Sequence, residues 1–362
     1  MKAVHDLMER GVADGVFPGG VLLVAHQGRV LFSEAFGLAR LLPERPMTID
    51  TVFDLASLTK PLATTLAMML LVQEKKLHLE QGIAGAIPYF LGTDKEHVTV
   101  RQLLSHASGL PDYRPYYQEL SKLEPSERRD ALRSLLLEEP LIEEPGRTSL
   151  YSDLDFMLLE WLIEVVAGKP LDRFVEESVY VPLGLKHLFF VRLFDGKKKN
   201  GLSYAATEDC PWRKKIMDGQ VHDDNAYVVG GVAGHAGLFG TAKDVHILLQ
   251  ELLNTLSGAS NSRLFEENVM RTFFERQSDT GTWALGFDTP TRPDSSSGKY
   301  FSDQSVGHLG FTGTSFWTDL EKGVIVVLLT NRIHPTRENE RIKTFRPLIH
   351  DAVMEAILSA PT

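Results

Sequence analysis

Apolar positions recur at helical and strand spacings near the two ends of the chain. Close to the N-terminus, four apolar residues share one face of a predicted amphipathic helix: Val4, Leu7, Met8 and Val12. Residues 19–37 form two strand-like runs that meet at Gln27-Gly28, which predicts a hairpin. Residues 306–332 contain two further strand candidates, and the apolar spacing over residues 345–358 predicts a closing helix.

Helical spacing dominates the middle of the chain, from about residue 66 to residue 220. Strands at both ends with helices between them predict a mixed α/β (α+β) fold. In this fold an antiparallel sheet, flanked by the terminal helices, is built from residues 1–65 together with residues 221–362. Residues 66–220 are predicted to form an inserted, mostly helical domain. We expect the active site in the cleft between the two domains.

Charge and composition narrow the possible partners. The formal net charge of −10 argues against nucleic acid or an anionic membrane as a partner, and the single cysteine, Cys210, excludes an internal disulfide. The N-terminal sequence lacks the apolar segment of a signal peptide, and the longest apolar run, residues 66–72, is too short to span a bilayer. We expect a cytoplasmic protein, or a periplasmic or secreted one if a leader precedes this sequence. The oligomeric state stays open, with a monomer slightly favoured.

Ser57 and Lys60 form an S-x-x-K tetrad where an apolar segment turns into a predicted helix. Positions i and i+3 share a helical face, so both side chains can meet in one cleft. A serine hydroxyl becomes a strong nucleophile when a neighbouring base takes its proton. Lysine can be that base if burial and the positive end of a helix dipole lower its pKa, which we expect here. The alternative is structural: Ser57 caps the helix and Lys60 lies on its surface.

Two further segments carry groups suited to the same chemistry. Tyr151-Ser152-Asp153 precede an amphipathic helix, and a phenol near a lysine can pass a proton to a leaving group. Alternatively, Tyr151 is a core residue followed by a helix cap. Residues 307–317 place glycines at the start of a strand, where a ligand can approach the backbone closely. Alternatively, they form a β-turn beside a buried histidine.

These segments, in this order and at these separations, resemble the motifs of the serine β-lactamase and penicillin-binding protein superfamily. The match rests on three motifs: Ser57-x-x-Lys60, Tyr151-Ser152-Asp153 and His308-Leu309-Gly310. Residues 99–113 and 230–245 resemble two accessory signatures of its class C β-lactamase-related (peptidase S12-like) group. The resemblance covers nearly the full chain and implies the serine β-lactamase-like (DD-peptidase) fold.

The resemblance implies a role for each motif residue. Ser57 would be the acyl-forming nucleophile, Lys60 its activating base and Tyr151 the proton shuttle. The backbone N–H groups of Ser57 and Phe311 would form the oxyanion hole. Asp153 stands where many relatives have asparagine, whose amide contacts the substrate; its carboxylate would alternatively orient Lys60.

Two residues depart from the family pattern. His308 and Leu309 stand where β-lactam-directed members have the lysine and threonine of a Lys-Thr-Gly triplet, which help hold the carboxylate of the antibiotic. Histidine is only partly charged near neutral pH and leucine has no hydroxyl, so we do not expect strong penicillin hydrolysis. Five residues are expected to bind the substrate: Asp153, His308, Gly310, Tyr113 and His235.

Two other groups of residues have less specific patterns. Residues 221–237 contain His222, Asp223, Asp224 and His235, but no H-x-x-x-H or H-x-H spacing, so we predict neither a metal nor a cofactor. The same segment resembles a branch of the superfamily that acts in muropeptide recycling. His106 is predicted to be a buried histidine that ties down a loop.

The sequence therefore predicts a serine hydrolase that acts through an acyl-enzyme on an amide or ester. Candidate substrates are a peptidoglycan-derived peptide or muropeptide, a D-amino-acid peptide and a small ester, with a β-lactam as a weak side substrate. The alternative is a penicillin-binding or sensor protein of the same fold with little turnover. An α/β-hydrolase is excluded because the sequence has no G-x-S-x-G segment.

Overall fold

The computed structural model describes residues 1–195, 201–262, 264–278 and 281–359. The strands in this part of the chain are β1 (Gly19–His26), β2 (Arg29–Arg40), β3 (Arg45–Pro46), β4 (Phe53–Asp54), β5 (Leu188–Phe190), β6 (Asp209–Cys210), β7 (Lys215–Ile216), β8 (Leu238–Gly240), β9 (Val306–Leu309), β10 (Ser315–Asp319) and β11 (Val324–Thr330).

The helices fall into two groups. The longer α-helices are α1 (Lys2–Ala13), α2 (Thr65–Gln73), α5 (Arg128–Glu138), α6 (Asp153–Ala167), α9 (Ala242–Leu256), α10 (Glu267–Phe274) and α11 (Ile342–Leu358). The shorter ones are α3 (Val100–Leu104), α4 (Tyr117–Leu120), α7 (Leu171–Val175) and α8 (Asp224–Val228). There are 3₁₀ turns at Ala56–Leu58, Ile83–Gly85 and Pro88–Phe90, and π turns at Lys60–Thr64 and Glu176–Tyr180.

Strands from both ends of the chain form one six-stranded sheet in the order β3-β2-β1-β11-β10-β9. Every neighbouring pair in it is antiparallel. The first strand of the N-terminal hairpin pairs with the last strand of the chain, with Gly20 opposite Thr330 and His26 opposite Val324. The predicted antiparallel sheet built from both termini is therefore confirmed.

The central strands are buried on both faces, which explains their nearly continuous apolar sequence. Successive side chains of a strand point to opposite faces. In β1, Val21 and Leu23 lie in the core that α2 and α9 share, whereas Leu22 and Val24 lie in a second core with α1 and α11. The predicted terminal helices thus cover one face of the sheet. Burial of a residue such as Leu22 contributes about 2 kcal/mol to stability.

Three short strands lie within residues 66–220, for which the sequence predicts helices and loops. Of these, β5 joins β4 and β8 in a small sheet of order β4-β8-β5, and β6 pairs with β7. Strands of two or three residues are too short to show a periodic pattern, which is why the sequence does not reveal them. The division into a sheet domain (1–65 with 221–362) and a helical domain (66–220) stays a prediction.

Within the described residues, no helix is both long and apolar enough to cross a bilayer.

Candidate active site

Ser57 lies in a sharply bent segment between β4 and α2. It belongs to the 3₁₀ turn Ala56–Leu58, which leads into the π turn Lys60–Thr64, and π turns are frequent at functional sites. The preceding Ala56 has a φ of 48°, a left-handed conformation that is costly for a residue with a Cβ. Its N–H donates to Asp54 Oδ1 at 2.9 Å, which stabilises the bend. The bend places Ser57 on the wall of a cavity of about 600 Å³.

Lys60 lies directly behind Ser57 and is fully buried. Its Nζ donates to Ser57 Oγ at 3.3 Å, to Asp153 Oδ1 at 2.6 Å and to the carbonyl oxygen of His235 at 3.2 Å. All three ammonium hydrogens can therefore be satisfied in this position. The structure brings Ser57 and Lys60 together, and it rules out the alternative in which Lys60 is a surface residue.

The charge state of Lys60 differs from the sequence-based expectation. Burial alone would lower the pKa of Lys60, as expected from the sequence, but the Asp153 carboxylate and the Tyr151 phenol outweigh burial, and the pKa is raised. The expectation of a lowered pKa is therefore wrong for the free protein, in which Lys60 is an ammonium ion paired with Asp153. The sequence-based alternative that Asp153 orients Lys60 agrees with this contact.

Tyr151 completes the group around the serine. Lys60 Nζ lies 4.7 Å from the centroid of the Tyr151 ring, and the neighbouring Lys60 and Ser57 side chains both favour the ionised form of its hydroxyl and so act to lower its pKa. Its ring stacks on Trp283, with centroids 5.3 Å apart, and lies 4.7 Å from the ring of His106. Burial raises the pKa of the phenol, although the neighbouring Lys60 acts in the opposite direction. The three side chains that the motifs single out therefore form one connected network.

The segment around Tyr151 is fixed by a buried histidine, as the sequence predicts. His106 is 2% exposed, and its Nδ1 accepts the N–H of Ser152 at 3.1 Å. Ser152 caps α6 by accepting the N–H of Asp155 at 3.3 Å, so Asp153 begins this helix. The prediction that His106 ties down a loop is confirmed. These bonds position Asp153 toward Lys60.

The turn between β9 and β10 forms the opposite wall. Gly310 N–H donates to Thr314 O at 2.7 Å, and Thr314 Oγ1 donates to Leu55 O at 3.0 Å, which ties this turn to the segment that carries Ser57. Within the described residues, the backbone N–H groups of Ser57 and Phe311 have no protein acceptor. Both residues line the cavity, so two unpaired donors are available to a developing oxyanion.

His308 lines the same cavity as a neutral imidazole. Its side chain is 2% exposed, and burial, with help from Lys60, lowers the pKa to about 3. The Nδ1 atom of the ring lies 2.9 Å from the Leu309 carbonyl oxygen. Because a carbonyl oxygen only accepts hydrogen bonds, Nδ1 is the ring nitrogen that carries the hydrogen. A neutral His308 cannot replace the lysine charge of the Lys-Thr-Gly triplet.

The other predicted substrate-binding residues take different positions. Tyr113 lines the cavity and is 38% exposed, so it is open to a ligand. The side chain of His235 is instead 2% exposed, and its Nε2 lies 2.9 Å from Asp223 Oδ1. Burial opposes the charged form of His235, but Asp223 outweighs it and raises the pKa. His235 thus reaches the site mainly through the bond from Lys60 to its carbonyl oxygen.

One group of side chains has the composition of a metal site. Ligand atoms of Asp153, Asp223 and His235 lie within 4.8 Å of one another. Asp153 is already paired with Lys60 and Asp223 with His235, so a cation would have to displace both partners. The geometry therefore favours ion pairs over metal coordination.

The sequence analysis missed several residues that line the cavity, among them Trp283, Arg332 and Arg346. None belongs to a motif. Of these three, only Arg332 carries a signal, since it is a charged residue two positions after the end of the apolar strand β11. The sequence analysis assigned a role only to the backbone of Phe311. Its side chain is 48% exposed, and its ring lies 5.8 Å from the His222 ring and 4.6 Å from the Arg332 guanidinium.

A nucleophile, a buried amine and a phenol in a cleft beside an antiparallel sheet define the class of active-site serine enzymes to which serine β-lactamases belong. Residues 4–350 match the family model described as Beta-lactamase, and the chain belongs to this family. The resemblance found in the sequence and the predicted fold class are both confirmed.

Relatives and solved structures agree with this assignment. A Bacillus subtilis protein named N-acetylmuramyl-L-alanine amidase is 35% identical, over 92% of this chain and 81% of its own. An Escherichia coli K12 protein named D-alanyl-D-alanine carboxypeptidase is 34% identical, over 90% and 82%. The structure of EstCE1, a hydrolase with promiscuous acyltransferase activity, has a TM-score of 0.75 and 25% identity, over 98% of both chains. The predicted serine hydrolase, acting on an amide or ester, is confirmed.

Proposed function

We propose that this enzyme cleaves an amide bond in a peptidoglycan-derived peptide or muropeptide through an acyl-enzyme on Ser57. The observation that carries the proposal is the group of side chains in which Lys60 Nζ lies 3.3 Å from Ser57 Oγ and 4.7 Å from the centroid of the Tyr151 ring. Support for the substrate class comes from the two relatives named as an amidase and a carboxypeptidase.

The proposed reaction starts when the Lys60–Tyr151 pair loses one proton, because the resting pair holds an ammonium and a phenol. Ser57 Oγ then attacks the carbonyl carbon and passes its proton to this pair. The oxyanion accepts hydrogen bonds from the N–H groups of Ser57 and Phe311. Tyr151 protonates the leaving amine as the C–N bond breaks, and water hydrolyses the resulting ester by the reverse proton path.

Asp153, Tyr113, His308 and Gly310 are proposed to shape the substrate site. Asp153 fixes Lys60 by their 2.6 Å contact. Gly310 lets the β9–β10 turn pack closely against the segment of Ser57, because a Cβ there would lie 2.7 Å from Leu55 O. The neutral imidazole of His308 and the missing hydroxyl at Leu309 disfavour a β-lactam, since neither side chain attracts its carboxylate.

We also propose that the enzyme works as a cytoplasmic monomer on a small substrate. The net charge of −10 supports the absence of a nucleic-acid partner. Light scattering during gel filtration tests the oligomeric state, and a mass other than about 40 kDa contradicts the monomer. One solved structure of this fold, from Pyrococcus abyssi, is described as octameric, with a TM-score of 0.75 and 18% identity.

Two measurements test the proposed function. A fluorophosphonate probe is expected to label the wild type rapidly and to leave Ser57→Ala unlabelled. A hydrolysis screen then compares a muramyl-L-alanine amide, a D-Ala-D-Ala peptide, p-nitrophenyl esters and nitrocefin, with Ser57→Ala as the blank. We expect turnover of at least one of the first two. Labelling without turnover of any substrate would instead indicate the penicillin-binding or sensor protein.

A further inference from the structure

Asp54 is a buried carboxylate without a cationic partner. It ends β4, three residues before Ser57, and is 2% exposed. Within the described residues, no nitrogen of a lysine, arginine or histidine side chain lies within 4.0 Å of its oxygens. Burial raises the pKa of Asp54, and the groups that act most strongly against this effect are two backbone N–H groups. Asp54 is therefore held by the main chain and not by an ion pair.

Each oxygen of the Asp54 carboxylate accepts a backbone N–H group from a different segment. Oδ1 accepts the N–H of Ala56 at 2.9 Å, and Oδ2 accepts the N–H of His222 at 2.6 Å. Ala56 has a φ of 48°, a left-handed conformation that persists only where neighbouring groups hold it. Because Ala56 directly precedes Ser57, the first bond acts on the position of the Ser57 N–H. The second bond attaches this bend to a segment 168 residues further along the chain.

The main chain of Asp54 is bonded to the β9–β10 turn on the opposite wall. Thr312 Oγ1 donates to the carbonyl oxygen of Asp54 at 2.8 Å, and Thr312 is buried. Thr312 directly follows Phe311 in the chain. The His222 ring also lies beside the Phe311 ring, with centroids 5.8 Å apart and an angle of 16° between the planes. Asp54 therefore acts on Phe311 through two neighbours, Thr312 and His222.

These bonds connect Asp54 with both N–H groups that are proposed to bind the oxyanion. Asp54 is bonded to the residue before Ser57 and to the residue after Phe311. The two donors lie on distant segments of the chain, so their separation depends on contacts between those segments. Donors that are fixed in advance stabilise the oxyanion most, because no rearrangement is needed when its charge develops.

We propose that Asp54 is a positioning residue that sets the separation between the N–H groups of Ser57 and Phe311. This rests on the proposed function, in which these two groups bind the oxyanion. Asp54 does not line the cavity, so it acts through its neighbours and does not contact the substrate. Its loss is expected to weaken binding of the transition state and to leave binding of the substrate nearly unchanged. The effect should therefore appear in kcat and not in KM.

Asp54→Asn tests the proposal with little change in side-chain size. Asparagine has one carbonyl oxygen, so its NH2 group must face one of the two N–H donors. With a p-nitrophenyl ester as substrate, we expect kcat to fall by about tenfold to a hundredfold, as a small displacement of the catalytic groups can cause, and KM to stay nearly unchanged. Labelling by the fluorophosphonate probe, which reports the attack by Ser57 alone, should slow by a similar factor.

Asp319→Asn is the matched control. Asp319 on β10 is also fully buried, and both of its oxygens accept backbone N–H groups, from Ser302 at 2.9 Å and from Lys322 at 3.0 Å. It does not line the cavity. Urea unfolding should show that both variants lose stability, whereas only Asp54→Asn should lose kcat. Equal losses of kcat in the two variants overturn the proposal, since they would follow from destabilisation alone.

Thr312→Val is a second variant that leaves the Asp54 side chain in place. It removes the hydroxyl that donates to the Asp54 carbonyl oxygen, and we expect a smaller fall in kcat, again without a change in KM. Circular dichroism first shows whether each variant is folded. A wild-type kcat in folded Asp54→Asn overturns the proposal, and where that variant does not fold, a wild-type kcat in Thr312→Val does so.

Labelling of the wild type separates this proposal from the proposed function. If the wild type reacts with the fluorophosphonate probe and Asp54→Asn reacts at the same rate, the role of Asp54 is contradicted while the serine hydrolase stands. If the wild type neither reacts with the probe nor hydrolyses any ester, the proposed function itself is contradicted.

Discussion

Tyr151→Phe removes one oxygen atom from the centre of the site and leaves the aromatic ring. The centroid of the Tyr151 ring lies 4.7 Å from that of His106 and 5.3 Å from that of Trp283, and these ring contacts do not involve the oxygen. The hydroxyl itself is the group whose pKa Lys60 and Ser57 act to lower. The substitution therefore separates the packing of Tyr151 from its chemistry, which is the point on which the proposed mechanism depends.

The expected magnitudes differ for the two roles. Lys60 retains its 2.6 Å contact with Asp153 in the variant, so the buried charge stays compensated and the free energy of unfolding should fall by only about 1 kcal/mol. A positioned acid–base group contributes about 10²- to 10⁴-fold to the rate. We expect kcat/KM to fall by that factor while the protein remains folded.

The assay compares two leaving groups. A p-nitrophenolate departs without a proton, whereas an amine must be protonated as the C–N bond breaks. If Tyr151 delivers that proton, its loss should slow amide hydrolysis more than p-nitrophenyl ester hydrolysis. Urea unfolding of both proteins measures the stability difference in parallel. Trp283→Phe is the matched control, because it alters the packing beside Tyr151 and retains the hydroxyl.

Two results would refute this reasoning. Wild-type rates on both substrates would show that Tyr151 is a packing residue. Equal losses on the amide and the ester would remove Tyr151 from leaving-group protonation and restrict it to activation of Ser57.

The remaining predictions concern charge and backbone geometry. Asp153→Asn removes the carboxylate that raises the pKa of Lys60, so the acid limb of the pH–rate profile should move to lower pH; an unmoved limb excludes Lys60 as the titrating group. Gly310→Ala places a Cβ about 2.7 Å from Leu55 O, which should displace the β9–β10 turn and lower kcat. Gly85→Ala is the control and should leave kcat unchanged, because the nearest atoms to its Cβ belong to the flexible side chain of Gln81. The pKa of Glu208 is lowered to about 2 despite its burial, by His222 and then Arg337. The ionised Glu208 therefore stabilises the protein above about pH 4.5, and this stabilisation is lost as the pH falls toward 2. In urea unfolding, Glu208→Gln should be less stable than the wild type at neutral pH, and the difference in the free energy of unfolding should disappear in acid. A stability difference that does not depend on pH contradicts this prediction.

The strand and motif predictions succeed where a short stretch of sequence contains the whole signal. The nearly continuous apolar runs of β1 and β11 are sufficient to predict both strands, and the spacing of Ser57 and Lys60 is sufficient to place both on one face. The strands of two or three residues have no such local signal, and the sequence does not predict them. The charge of Lys60 also cannot be predicted from its local sequence, because it depends on Asp153, which lies 93 residues away in the chain.

The neutral charge state of His308 follows from the electrostatics of the cavity wall. Lys60 and Arg346 both lower the pKa of His308, in addition to the effect of burial, so this position already lies in a positive field. A lysine there, as in the Lys-Thr-Gly triplet, would add a third buried cation close to two others. A neutral imidazole avoids that repulsion, and it does not supply the positive charge that the triplet lysine has. Asp153 compensates Lys60 at 2.6 Å, whereas Arg346 donates only to the carbonyl oxygens of Gly310 and Thr314 in the described part of the chain, so its positive charge still acts on His308.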